Sequence, residues 1–247
     1  MDPRPFINAY SAKTRVGNWN EDLFRIDGEN QDYERLKAAG QLRNQIVEKI
    51  RSRFCAPVKT TGHGDKQLRF GDIVEIKNDA FESTVAVHTD NDISWTVSAC
   101  SKSVPSKRTC YRVVPCAESS EDSTGKSVFY GQPFSLQSCV EPGWFLASDS
   151  IEKLQSLSNI AYGRNRVFLL KSQSKATMWS VTAWDPRTRP EFEDTPVLQN
   201  TTSVLVHHST GQALCCEDSS KVGFFGREKE VCCSTRLTPF RFNSARG

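Results

Sequence analysis

Three residue pairs near one end of this chain have the side chains that bind soft metals or build nucleophilic sites: His207-His208, Cys215-Cys216 and Cys232-Cys233. Alternate side chains of a strand face opposite sides, so one member of each pair could converge on a common point. Against zinc, Cys-Cys is not Cys-x-x-Cys, and no ligand spacing here fits a zinc module. Against Cys/His catalysis, no cysteine can be matched to a base and an orienting carboxylate. There is no nucleophile elbow or glycine-rich phosphate loop. "GREKE" and "YGRNR" fall at strand ends, with no helix following to cradle an anion. The expectation is therefore no enzyme, no metal and no cofactor. The cysteines are read as small core fillers and their outward neighbours, in a reducing compartment.

The elements that would position these residues repeat. "RFGDIVEIKN" (Arg69 to Asn78) and "FYGQPFSLQS" (Phe129 to Ser138) share an aromatic, a glycine, two spacers and then alternating apolar positions. Aligning Gly71 with Gly131 places Val74 on Phe134 and Ile76 on Leu136. "TTSVLVHHS" supplies a third copy, with Val204 and Val206 in register but no glycine. "EPGWFLAS" matches "STGQALCC", and "YGRNRVFLL" matches "FGREKEVCC" with one insertion. Each unit ends on an aromatic-polar-apolar triplet: Tyr111-Arg112-Val113, Trp179-Ser180-Val181 and Phe240-Arg241-Phe242. Three units of about four short strands predict a mainly β, three-fold closed architecture, a β-trefoil, over 67–247. The units fall at about 67–115, 127–184 and 195–243, and closure would remove exposed sheet edges.

Ahead of the repeats, residues 1–66 read as an N-terminal arm, one helix and a linker. Pro3, Pro5, Gly17 and Gly28 mark an irregular arm to about residue 30. One helix is then predicted over about 31–55. Asn30 is a capping residue at its start, and Tyr33, Leu36, Ala39, Val47, Ile50 and Phe54 form its apolar stripe. Pro57 stops it, and "KTTGHGDKQ" is the linker.

Composition narrows the partner classes. The net charge of +3 over 247 residues is too small for the concentrated basic face of a nucleic-acid protein. No apolar run approaches the roughly 20 residues of a membrane span. "MDPRPFINAYSAK" lacks the apolar core of a secretory signal, so a cytosolic chain is expected. Nine cysteines, an odd number, do not suggest a disulfide framework.

The repeat pattern, aromatic-Gly-x-x-Φ-x-Φ followed by His-Ser-Thr-Gly-x-x-Leu, resembles the MIR type of β-trefoil. The wider order, "GNWNED", a helix, "FGD", "YGQ" and "VLVHHSTGQAL", resembles the cilia- and flagella-associated protein 161 family. "GNWNED" carries most of that specificity. The resemblance implies a non-enzymatic microtubule inner protein in the lumen of axonemal doublet microtubules of a cilium or flagellum. Its implied partners are the α/β-tubulin lattice and other microtubule inner proteins.

Candidate partner-binding residues follow from that expectation: Arg15, Gly17, Asn18, Trp19, Asn20, Glu21 and Asp22 of the arm, and Arg43, Arg51 and Arg53 of the helix. Trp19 either folds back on its own chain or anchors in a partner's pocket, where tryptophan buries much area at little entropic cost. The arginines are either a solvated face or bidentate partners for acidic tubulin. A lectin-like β-trefoil, using Trp144 with Glu141 or Trp184 with Asp185, and a generic cytosolic scaffold are the alternatives. Trp19→Ala is expected to leave the β domain folded while weakening incorporation into axonemes, read by thermal melting beside axoneme pelleting. A lower melting temperature would instead favour the fold-back reading.

Overall fold

The computed structural model describes residues 19–91, 94–101, 104–116, 124–148 and 164–244. Arg15, Gly17 and Asn18 of the expected arm lie outside them. The chain divides into two compact units, Met1–Ser52 and Arg53–Gly247.

In the first unit, helix α1 spans Trp19–Ala38 and α2 spans Arg43–Phe54, the last two residues of α2 belonging to the second unit. This corrects the sequence reading, which made 19–30 irregular and started one helix at about residue 31. Glu21 and Asp22 lie in the first turn of α1, where the helix dipole favours acids. Farther along, Arg25 pairs with Glu29 at 2.7 Å, Arg35 with Asp32 at 2.9 Å and Lys37 with Glu34 at 3.6 Å. Such spacings bring side chains together on a helix surface. The break between the helices has a backbone cause. Gly40 takes a left-handed φ of +66°, its N–H donates to Lys37 O at 3.1 Å, and the Gln41 N–H donates to Leu36 O at 2.8 Å. Those two bonds form the glycine C-cap that satisfies the last carbonyls of a helix.

The second unit begins before its first strand. Phe54 is fully buried with its ring 5.7 Å from Trp95, and the Lys107 N–H donates to Ala56 O at 2.9 Å. So residues just after α2, expected to be linker, pack with the β unit. Twelve strands among the described residues form one antiparallel sheet. They are β1 (Ile73–Asn78), β2 (Ser83–Asn91), β3 (Ser94–Cys100), β4 (Cys110–Pro115), β5 (Phe134–Ser138) and β6 (Trp144–Ser148). The rest are β7 (Asn165–Lys171), β8 (Trp179–Ala183), β9 (Ser203–His207), β10 (Ala213–Gly223), β11 (Gly226–Ser234) and β12 (Phe240–Asn243). A short helix, α3 (Arg189–Phe192), lies between β8 and β9.

Six strands close a ring. β1 pairs with β4, β4 with β5, β5 with β8, β8 with β9, β9 with β12, and β12 returns to β1. The other six form three hairpins, β2–β3, β6–β7 and β10–β11, and one strand of each pairs with the next: β3 with β7, β7 with β11, β11 with β3. Every second residue of the ring strands points into an apolar interior. Val74, Ile76, Phe134, Leu136, Trp179, Val181 and Phe240 are all buried there. The Trp179 indole N–H keeps a partner, donating to Leu146 O at 2.8 Å.

Three-fold repetition extends to single hydrogen bonds. Leu68 N–H donates to Val197 O, Val197 N–H to Val128 O and Val128 N–H to Leu68 O, each at 2.8 Å, closing a triangle of fully buried residues. One turn later, Gly71 N–H donates to Val113 O at 2.7 Å and Gly131 N–H to Val181 O at 2.9 Å. Their φ values of +99° and +79° are left-handed. The third copy, which lacks the glycine, meets the same demand with Asn200 at φ +61°, donating to Phe242 O at 2.7 Å. Asparagine is among the few residues that visit this region readily.

One buried ion pair ties the first unit of the repeat to the third. Arg108, ahead of β4, donates through Nη2 to both Glu228 oxygens on β11, at 2.7 and 2.8 Å, and through Nε to Val87 O at 3.1 Å. Its guanidinium lies 3.9 Å from the centre of the Phe225 ring. Burial raises the Glu228 carboxyl, but the bond with His88, the charge of Arg108 and the Ser98 hydroxyl outweigh it and hold the pKa at about 2. Arg108→Met is expected to cost about 3–5 kcal/mol, the penalty of stranding a buried charge, read from denaturant midpoints. The folded pKa lies below the ordinary 4.5, so this stabilisation is complete above that value and is lost as pH falls through about 2. Melting temperature should therefore drop over that window in the wild type, and drop less in Glu228→Gln.

Candidate functional site

Those of the expected partner-binding residues that are described lie on helices. Asn20, Glu21 and Asp22 sit in the first turn of α1, with Trp19 at its N-terminus. Arg43 opens α2 and Arg51 lies in its last turn; both are exposed and make no ion pair among the described residues. Arg53 is different. It pairs with Glu141 and lies over the Trp95 ring at 5.1 Å, so its charge is engaged within its own unit.

No described residue of α1 is buried. Leu23 is 58% exposed and Phe24 76%, and Ile26, Tyr33 and Leu36 are also open to solvent. Leu23, Ile26 and Tyr33 fall at helical steps and line one face. An apolar face with this little cover of its own is what a docking helix presents to a partner. Sequence reasoning took Trp19 and its acidic neighbours as the candidate and missed Leu23, Phe24 and Ile26, because Gly28 read as a break. The recurrence of apolar residues from Trp19 to Tyr33 was the available signal.

The sugar-platform alternative is partly used up by internal packing. Trp144 stacks on Trp95 with centroids 4.9 Å apart, and Glu141 is held by Arg53. Trp184 remains 41% exposed, while Asp185 accepts the Arg187 N–H at 2.9 Å.

Of the residues that could do chemistry, His207 is a buried structural group. Its Nδ1 is 2.9 Å from the Thr210 hydroxyl and its Nε2 is 3.0 Å from Ala176 O. The four paired cysteines are all buried, so neither pair supplies the outward-facing neighbour that was expected. In the β10–β11 ladder Cys215 stands directly opposite Cys232. The Glu217 Oε1 lies 3.7 Å from the Cys215 sulfur and 3.9 Å from the Cys232 sulfur. The hydrogen bond from Cys232 draws the Cys215 thiol down to about 7 against its burial, while the Cys232 thiol is raised. Glu217 and Cys232 border a cavity of about 530 Å³ that His88, Arg164, Glu228 and Glu230 also line. Ser98 donates to Glu228 Oε2 at 2.5 Å, with His88 Nδ1 3.4 Å from the same oxygen. The Ser98 hydroxyl is thus directed at a carboxylate rather than at an imidazole.

Residues 48–245, four-fifths of the chain, match the family described as the cilia- and flagella-associated protein 161-like domain. The chain belongs to that family. A relative from Mus musculus, cilia- and flagella-associated protein 161, is 25% identical over 253 residues, covering 93% of this chain and 83% of the relative. The Bos taurus protein of the same name is 25% identical over 260 residues, covering 95% and 79%. Among solved structures, the SDF2-like protein from Arabidopsis thaliana superposes with a TM-score of 0.57 at 15% identity, over 71% of this chain and 94% of that one. That likeness is one of fold.

At the tip of the β10–β11 hairpin, backbone and ring meet closely beside the cavity. A Cβ added at Gly223 would lie 2.1 Å from His88 Cε1. Gly223→Ala is expected to cost about 1–3 kcal/mol through overpacking. Denaturant unfolding of Gly223→Ala beside His88→Ala/Gly223→Ala checks this, since removing the ring should relieve most of the added cost.

Proposed function

We propose that this chain is a non-enzymatic structural component of ciliary or flagellar axonemes. Its β unit is a MIR-like β-trefoil, and the chain acts as a microtubule inner protein on the luminal tubulin wall of doublet microtubules, beside other inner proteins. The observation that carries this reading is membership, over 48–245, of a family named for cilia and flagella. The closed ring, the three hairpins and the hydrogen-bond triangle support the β-trefoil assignment. The helices support the docking role. α1 offers Leu23, Phe24, Ile26 and Tyr33 to a partner, and Arg43 and Arg51 of α2 are open to acidic side chains.

Each contact need not be strong. Copies repeated along a lattice gain avidity when their neighbours hold the same filament. The β unit then serves as a rigid block, and the exposed helical face supplies the apolar part of the contact.

Purified axonemes extracted with rising salt, then mild detergent and sarkosyl, test the assignment. Salt screens exposed ion pairs, so a protein held only by rim charges on an outer surface should leave first. Retention until the doublet wall opens supports a luminal site. Early release points to an outer-surface scaffold, and absence from axonemes would end the ciliary reading. In the same assay Leu23→Ala/Phe24→Ala should reduce retention while changing folding stability by no more than about 0.5 kcal/mol, the usual range for exposed sites. Arg43→Glu/Arg51→Glu should shift release to lower salt.

A further inference from the structure

We propose that Cys215, Glu217 and Cys232 form a binding site for one thiophilic divalent cation, zinc in the first instance. The three ligand atoms lie within 4.8 Å of one another. The geometry follows from the ladder. Cys232 faces Cys215 across the pair from β11, and Glu217, at the start of the register shift between Cys216 and Ser220, brings its carboxylate to both sulfurs. With Zn–S about 2.3 Å and Zn–O about 2.0 Å, the edges of a tetrahedral site are ~3.5 Å for S···O and ~3.8 Å for S···S. The sulfur-to-carboxylate separations of 3.7 and 3.9 Å are within a few tenths of an ångström of that edge.

The carboxylate is oriented for the purpose. Its other oxygen, Oε2, faces the guanidinium groups of Arg164 at 3.8 Å and Arg236 at 4.0 Å, which leaves Oε1 turned toward both sulfurs. Outer partners of this kind commonly fix a metal ligand's direction. Two sulfurs select a soft or borderline ion over magnesium or calcium, which require oxygen. The fourth position opens on the cavity that Glu217 and Cys232 line, so water or a small ligand can fill it. A bound ion would cross-link β10 to β11 at the base of their hairpin, next to the register shift between Cys216 and Ser220. This inference does not rest on the axonemal role.

The test uses the full chain, reduced and stripped of metal, titrated with Zn²⁺ against a chromogenic chelator and with Co²⁺ for thiolate-to-cobalt charge transfer. The expected result is one equivalent bound, a charge-transfer band, and a higher melting temperature with zinc. Cys232→Ser and Glu217→Gln should weaken binding by at least the roughly 10–100-fold that loss of a supporting partner costs at zinc sites. Cys139→Ala, a thiol outside the cluster, should bind as the wild type does. Circular dichroism checks that the variants fold, and Glu217→Gln decides the matter if Cys232→Ser does not. Equal affinity in wild type and Glu217→Gln would overturn the proposal. So would a Cys215–Cys232 disulfide, found by mass spectrometry after alkylation, in protein that ignores zinc.

Discussion

The β unit depends on a triangle of three backbone hydrogen bonds among Leu68, Val128 and Val197. Each residue sits just ahead of one four-strand unit, and each gives its N–H to one neighbour and its carbonyl to the other. Buried backbone groups left without partners are costly, so three chain segments far apart in sequence must arrive together or not at all. The left-handed turns at Gly71, Gly131 and Asn200 then direct the chain outward into the ring strands. Closure of the ring follows, and with it the single interior that Trp179, Phe134, Phe240 and their neighbours fill.

Polar groups inside this frame are mostly used by the frame itself. His207 spans from its own turn to Ala176, Gln199 reaches Asp72 at 3.0 Å, and Arg108 holds Glu228. A buried ion pair adds little net stability over apolar packing, yet breaking one is severe. This one joins the third hairpin, through Glu228, to Val87 and Arg108 of the first repeat. What the frame leaves outward on the helices is an apolar face on an otherwise acidic α1 and a basic excess on α2.

The strands of the first two repeats were legible because alternation and turn glycines are local signals, whereas the third was read one residue out: Leu205, not Val204 or Val206, stands opposite the inward Val181. The position of the third turn was harder, since Asn200 replaces glycine and only its backbone angle reveals the equivalence. The start of α1 was misread for a related reason. Gly17, Gly28 and the asparagines around Trp19 suggest a turn, and Glu21 and Asp22, which favour a helix N-terminus, were outweighed. The spacing of Leu23, Ile26 and Tyr33 held the correction. By contrast, nothing local joins Arg108 to Glu228, or Glu217 to Cys232 across a hairpin whose register shifts between Cys216 and Ser220. Those meetings are set by strand pairing, and the residue types alone leave the pairing open.

Ring closure has a consequence for biosynthesis. β1 finds its partner β12 only when Phe240–Asn243 is available, although the other strands beside it are made much earlier. A nascent chain that has emerged only as far as β9 therefore carries an unzipped seam with unpaired donors and acceptors on both lips, the condition that invites wrong pairing between neighbouring chains. Closure of the ring therefore waits for β12, whatever the order in which the other strands are made.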